Sequence, residues 1–267
     1  MKKLLKNKVV IIAAAVVVVI VVLIVAISCS AKGKKVKEID TKNEALKLED
    51  KNWATKGGRK KYDEKGYESL TGIDVSEHVG DIDWARVKED GIEFAILRVG
   101  YRGYETGAFV FDNKLRTYLD GCNKENIPVG VYFVSQAISP EEAVEEVEKV
   151  LLEIKGFEIS MPIYIDLENA GDTARTKNLT VEEYTEIVDA FCTRVEEEGY
   201  RAGIYSNENW IRAHLEWDEL SKWDLWFAKY TDVPATDLPF TMWQYSESAL
   251  IDGAGGACDL NVRVYKK

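Results

Sequence analysis

The chain has 267 residues, of which 46% are apolar and 30% charged, and 35 Lys+Arg stand against 46 Asp+Glu for a formal net charge of −11. This composition excludes a disordered chain, a collagen-like chain and a disulfide scaffold. The acidic balance argues against a nucleic-acid binder, which needs a basic face for phosphates. The mean hides a division: residues 1–68 hold 16 Lys+Arg against 8 Asp+Glu, and residues 69–267 hold 19 against 38.

The basic part begins with a short tail, residues 1–8, carrying Lys2, Lys3, Lys6 and Lys8. Val9 to Ile27 follows as 19 consecutive apolar residues. At 1.5 Å per residue that is long enough to cross about 30 Å of hydrocarbon, and longer than the apolar core of most cleaved signal peptides. The favoured expectation is therefore an uncleaved transmembrane anchor at 9–27. Cleavage after Ser30 and lipidation of Cys29 are the alternatives. Lys32, Lys34, Lys35 and Lys37 balance the four lysines before the span, so flanking charge does not fix its orientation. Residues 28–69 are rich in Lys, Glu and Asp, with Leu46, Leu48 and Trp53 isolated among them, and read as a solvated linker.

From residue 70 onward short β-branched runs alternate with amphipathic stretches. Strands are expected at 72–76, 94–101, 129–135, 163–168, 202–206, 225–230, 241–245 and 258–264. Helices are expected between them at 83–90, 112–125, 140–155, 181–198 and 208–215. Ser139-Pro-Glu-Glu142 and Thr180-Val-Glu-Glu183 have the form of capping boxes. The later connections are too short for helices. Alternating β and α elements imply parallel strands with right-handed crossovers. Eight strands in about 200 residues suggest an α/β fold of the TIM-like (β/α) barrel type near its lower size limit, with some helices missing. An open doubly wound sheet is the rival, but no Gly-rich phosphate loop follows the first strand.

In such a barrel the working residues gather at the C-terminal ends of the strands. The first strand carries Asp74, the fourth ends in Asp166-Leu-Glu168, and the eighth carries Asp259. Asp166 and Glu168 are two apart and face one side, with Leu167 facing the outer layer. Crowding two carboxylates raises at least one pKa, which is what a general acid needs near neutral pH. Arg98, Tyr132, Tyr164, Tyr205, Trp226, Tyr230 and Gln244 accompany them at other strand ends as candidate substrate contacts. The two histidines, His78 and His214, belong to no ligand-spaced motif, although a carboxylate-only metal site built from the four acids stays open. No Gly-x-Ser-x-Gly elbow is present. Cys122, Cys192 and Cys258 fit neither metal nor redox spacing and read as buried thiols.

Seven short motifs occur in order: Gly72-Ile-Asp74-Val-Ser76, Arg98-Val-Gly-Tyr101, Gly130-Val-Tyr132-Phe, Pro162-Ile-Tyr-Ile-Asp166-Leu-Glu168, Trp226-Phe-Ala-Lys-Tyr230, Trp243-Gln-Tyr-Ser246 and Asp259-Leu-Asn261. Together they resemble the glycoside hydrolase family 25 lysozymes, the Chalaropsis-type muramidases, over residues 70–267. The resemblance implies a flattened β/α barrel that cleaves the β-1,4 bond between N-acetylmuramic acid and N-acetylglucosamine in peptidoglycan, as a monomeric domain without a cofactor. It implies that Glu168 is the proton donor and Asp166 its partner, with Asp74 and Asp259 as further acids around the cleft. Asp166 could serve as nucleophile, as base for water, or as the group orienting the substrate's acetamido arm; the acetamido sugar favours the last. Many members carry a His after the third-strand Tyr, where this chain has Phe133. A muramidase acts outside the cell, so the expected partners are glycan strands and, through the anchor, the membrane, with the N-terminus cytoplasmic.

Overall fold

The structure is a computed structural model, and it describes residues 46–267. The expected tail, the 9–27 span, Cys29 and residues 28–45 of the expected linker lie outside the described residues. Among those described, no helix is long and apolar enough to cross a membrane.

The described chain opens with a hairpin, β1 (Trp53–Lys56) and β2 (Arg59–Tyr62), and then enters a β/α array. The strands are β3 (Tyr67–Val75), β4 (Phe94–Arg102), β5 (Phe109–Phe111), β6 (Val129–Val134), β7 (Ile163–Asp166), β8 (Ala202–Asn207), β9 (Asp224–Ala228), β10 (Met242–Ala249) and β11 (Cys258–Lys266). The helices are α1 (Trp84–Glu89), α2 (Leu115–Glu125), α3 (Pro140–Glu153), α4 (Val181–Glu197), α5 (Glu208–His214) and α6 (Trp217–Leu220).

The sheet runs β3-β11-β10-β9-β8-β7-β6-β4, and pairing of β3 with β4 closes it into an eight-stranded barrel, with the short β5 added antiparallel to the end of β4. All eight expected strands are present. Seven run parallel, but β11 is antiparallel to both β10 and β3. A connection of only a few residues, 250–257, joins β10 to β11. A parallel crossover needs a dozen residues or more, so so short a turn can only reverse the chain.

Side-chain alternation divides the barrel cleanly. Ile73, Leu97, Phe133, Ile165, Leu167, Phe227 and Val262 face outward into the core under the helices. Leu70, Phe94, Ile96, Met161, Tyr164, Trp226 and Met242 fill the interior. Glycine makes room for the large interior rings: a Cβ on Gly72 would stand 2.3 Å from the Phe94 ring, and one on Gly203 2.4 Å from Tyr164. Such small-against-large pairing is how a narrow barrel is filled. Lower in the barrel, Arg263 donates to Asp224 at 2.8 Å and to the Tyr164 hydroxyl at 2.9 Å, with both charged side chains almost fully buried.

The helices follow the expected pattern. Asp83 caps α1 by accepting from Ala85 and Arg86 N–H. Thr180 and Glu183 form the full reciprocal box at α4. At α3 only half forms: Ser139 accepts from Glu142 N–H, while the Glu142 carboxylate is taken by Arg175 at 2.8 and 2.9 Å and by Ile138 N–H. That diversion ties the loop after β7 to the start of α3. Cys122, Cys192 and Cys258 are buried free thiols.

The stretch expected as linker is folded from Leu46 onward, which is a correction. Leu46, Trp53 and Tyr62 are buried. Trp53 meets Trp243 at 5.0 Å and Tyr62 at 5.1 Å edge-on, and lies parallel to Phe240 at 6.3 Å. No helix follows β9 or β10, so the outward residues of β10 lack the cover that helices give the other parallel strands. The hairpin supplies it. Its apolar residues are too sparse to show a period, because only one face of a two-stranded element is buried.

Candidate active site

The strand ends converge on an open cleft of about 440 Å³ lined by Asp74, Tyr132, Asp166, Glu168, Tyr205, Trp226, Tyr230, Gln244, Glu247, Ser248 and Asp259. All four expected acids are therefore brought together. Asp74 arrives from the C-terminal end of β3. Asp259 sits at the N-terminal end of β11 and reaches the same mouth because that strand runs backwards; the two are direct cross-strand partners.

Asp74 and Asp259 behave as a unit. Asp74 is buried, and its Oδ2 accepts from Asn261 Nδ2 at 2.7 Å and Gln244 Nε2 at 2.9 Å. Desolvation outweighs these donors and raises its pKa. Asp259 is pushed up to about 8, by desolvation first and then by the Asp74 charge. Two carboxyls this close cannot both ionise cheaply, so the pair holds a proton near neutrality. It resides on Asp259, since Asp74 has the better donors.

The orientation of Gln244 follows from its neighbours. Its Oε1 accepts from the Tyr205 hydroxyl at 2.8 Å and the Tyr230 hydroxyl at 2.9 Å, which leaves Nε2 to donate to Asp74 and, at 3.4 Å, to Asp259. Burial raises both tyrosine pKa values, so both hydroxyls remain protonated donors. Trp226 Nε1 donates to Asn261 Oδ1 at 2.8 Å, aiming the Asn261 amide at Asp74. The rings of Tyr132, Tyr164 and Tyr205 pack on Trp226 at 5.8, 5.2 and 4.4 Å.

Asp166 ends β7 with its side chain buried. Its pKa lies well above the ordinary carboxylate range, through desolvation, then the charges of Glu168 and Asp74, with Arg98 opposing. Its Oδ1 is buried without a hydrogen-bond partner. Such an oxygen costs on the order of 1–3 kcal/mol unless something donates to it. Glu168 lies two residues beyond, past the strand, and is exposed to cleft water. The surrounding walls still desolvate it, and with the Asp74 charge they raise its pKa. Leu167 between them is buried in the outer layer.

Two candidate contacts stand elsewhere. Tyr164 is fully buried in the barrel interior below the cleft, held by Arg263; alternation points it inward as expected, but two residues too deep to meet a ligand. Arg98 does not line the cleft. It pairs with Asp112 at 3.1 Å and Glu77 at 3.4 Å and acts on Asp166 through its charge. Phe133 faces outward, fully buried, with its ring 6.0 Å from Phe109, so the position of the missing His makes no cleft contact.

Sequence reasoning missed Asn261, Glu247 and Ser248. Asn261 was legible, being two residues from Asp259 on one strand face. Glu247 and Ser248 were not, because a bulge between Gln244 and Ala249 changes the register there. Among the described residues no group of three or more His, Cys, Asp or Glu is arranged to hold a metal ion.

Comparison with known proteins agrees with this geometry. The family model for glycosyl hydrolases family 25 matches residues 73–254. The autolytic lysozyme of Clostridium acetobutylicum is 24% identical over 193 residues, 72% of this chain and 55% of that protein. The modular autolysin LytC of Streptococcus pneumoniae, solved in complex with a synthetic peptidoglycan ligand, superposes with a TM-score of 0.67 at 25% identity, over 80% of this chain and 52% of that one. A family 25 glycosyl hydrolase of Bacillus anthracis gives 0.62 at 21% identity, over 76% and 92%. The chain thus spans about half the length of the lysozyme and of LytC. With the model matched over most of the barrel, the chain belongs to glycosyl hydrolases family 25.

Proposed function

We propose that the chain is a peptidoglycan hydrolase, an N-acetylmuramidase cleaving the β-1,4 bond between N-acetylmuramic acid and N-acetylglucosamine. The observation that carries this reading is the pairing, in one cleft, of a buried Asp166 oxygen lacking a donor with a solvent-facing Glu168 of raised pKa. The relatives support the substrate, one being an autolytic lysozyme and another having been solved with a synthetic peptidoglycan ligand.

Desolvation and the Asp74 charge favour the protonated form of Glu168, which faces the cleft and delivers its proton to the leaving glycosidic oxygen. The N–H of the sugar's 2-acetamido group donates to Asp166 Oδ1, which turns the acetamido carbonyl oxygen toward C1. That oxygen forms a bond to C1 as the C1–O bond to the leaving sugar breaks. Water, giving its proton to the Glu168 carboxylate, then opens the oxazolinium ring with overall retention. The single negative charge shared by Asp74 and Asp259 faces the positive charge that develops at the anomeric centre.

Glu168→Gln should abolish release of muropeptides from purified walls, and Asp166→Asn should reduce it by at least a hundredfold, as followed by turbidity and mass analysis of products. Unchanged turnover in either variant refutes the assignment. Products ending elsewhere than N-acetylmuramic acid refute the bond specificity.

The 19-residue apolar stretch Val9–Ile27 supports membrane anchoring, with the N-terminus cytoplasmic and the barrel outside, where its substrate lies. Protease added to intact cells should digest the barrel; protection would refute the topology, and release of the chain into the medium would refute the anchor.

A further inference from the structure

Glu168 lies past the end of β7, so the strand ladder does not hold it. Leu167 before it is pinned to β8: its N–H donates to the Tyr205 carbonyl at 3.1 Å, and its carbonyl accepts from the Ser206 hydroxyl at 2.7 Å. On the other side runs the loop 169–179. That loop needs an anchor of its own, because a reacting group misplaced by about 1 Å can cost about 10²-fold in rate.

The anchor is a buried residue of the connection between β6 and α3. Gln136 is 3% exposed, and three of its polar groups are engaged by other elements. Its N–H donates to Glu146 Oε1 on α3 at 3.4 Å. Its carbonyl accepts from Arg175 Nη1 at 3.3 Å, and its side-chain Oε1 accepts from the Thr176 hydroxyl at 3.1 Å. Arg175 and Thr176 both belong to the loop after Glu168. The Arg175 N–H also donates to the Tyr104 carbonyl at 2.8 Å, and the Thr176 carbonyl accepts from the Tyr184 hydroxyl at 3.1 Å.

Behind Gln136 stands an ion pair that the mechanism does not use. Glu146 is fully buried and accepts from Arg102 Nε at 2.8 Å. Arg102, at the end of β4, also donates to Glu145 at 2.8 Å and to the Glu142 carbonyl at 3.2 Å. Burying such a pair adds little net stability, since desolvation offsets the attraction. What it does here is fix the acceptor for the Gln136 N–H. Gln136, Thr176, Leu167 and Glu168 share the wall of one void of about 10 Å³, so the bracket abuts the proton donor.

We propose that Gln136 and Thr176 are positioning residues for the proton donor: their hydrogen bond, backed by Glu146 and Arg102, holds the loop after Glu168 so that its carboxyl stays on the leaving oxygen. This rests on the muramidase reading above.

The test uses Gln136→Ala and the near-isosteric Thr176→Val in the full chain, at a temperature where circular dichroism shows each variant folded. Each should lower kcat on a soluble glycan by at least about tenfold, with KM within about twofold. Walls that desolvate Glu168 are the first cause of its raised pKa. A loosened loop admits water and lowers that pKa, and the acid works protonated, so the alkaline limb of kcat/KM should move to lower pH. The other titratable groups around Glu168 are retained in both variants: Asp74, Asp166 and Asp259 in the cleft, Tyr104 and Tyr205 beside it, and Lys177 and His214 beyond it. Thr176→Ser keeps the hydroxyl and should restore both kcat and the limb. An unchanged kcat, a fall in kcat with an unmoved limb, or a Thr176→Ser variant as impaired as Thr176→Val overturns the proposal and leaves the muramidase reading standing. A wild-type chain that does not cleave the glycan overturns the muramidase reading and the proposal with it.

Discussion

The hairpin ahead of the family match makes a demand on stability that can be measured. Trp53 is 9% exposed and contacts Trp243, Phe240 and Tyr62. Truncation to alanine removes those contacts and opens a cavity against β10, a change that typically costs about 3–5 kcal/mol. Its indole Nε1 has no partner, so no hydrogen-bond loss adds to the cost. For a folded unit of this size, 1 kcal/mol moves Tm by about 2–4 °C, so Trp53→Ala should lower Tm by roughly 6–20 °C. The assay is thermal and urea unfolding of the full chain followed by circular dichroism. Lys56→Ala, at the exposed turn of the same hairpin, is the control and should stay within about 0.5 kcal/mol. If Trp53→Ala unfolds within that same margin, the hairpin is not the missing cover of β10 and the argument fails.

Asp74→Asn removes one of the two influences that raise the Glu168 pKa, leaving desolvation. The acid works protonated, so activity is lost as pH rises through that pKa. The alkaline limb of kcat/KM in this variant should move to lower pH, and an unmoved limb would show that Asp74 does not act on Glu168. Asp259→Asn should trade activity for stability. Asp259 ionises near 3.8 ordinarily and about 8 in the fold, so between those values the folded state binds more protons and stability falls as pH rises. The variant escapes that loss. Above pH 8 it should be more stable than wild type by about 1–3 kcal/mol, discounted for partial solvation of the carboxyl, with the gain shrinking toward pH 4 in urea unfolding. Wall hydrolysis should persist in EDTA; loss of activity restored by Mg²⁺ would instead favour a carboxylate-metal mechanism.

The site was legible where it depends on local geometry. Period-2 alternation put Asp166 and Glu168 on one side and Leu167 on the other, and the structure keeps both acids in the cleft although the strand stops at Asp166. It also pointed Tyr164 inward correctly, but a face is not a depth: two residues along a strand separate a cleft wall from a packed interior bonded to Arg263. Arg98 shows the same limit from charge, since its partners Asp112 and Glu77 lie on other elements.

The amino-acid sequence by itself determined the eight strands, most helices and their caps, and the set of four acids, because propensity, alternation and capping are read within a few residues. Only the tertiary structure decided that β11 runs backwards, so that Asp259 starts its strand yet faces Asp74. Only it decided that Trp53 and Tyr62 cover β10, and that Gln136 ties the loop after Glu168 to α3. These depend on which distant segments pair and pack, and no local pattern records the partner of a strand edge or the far wall of a cleft.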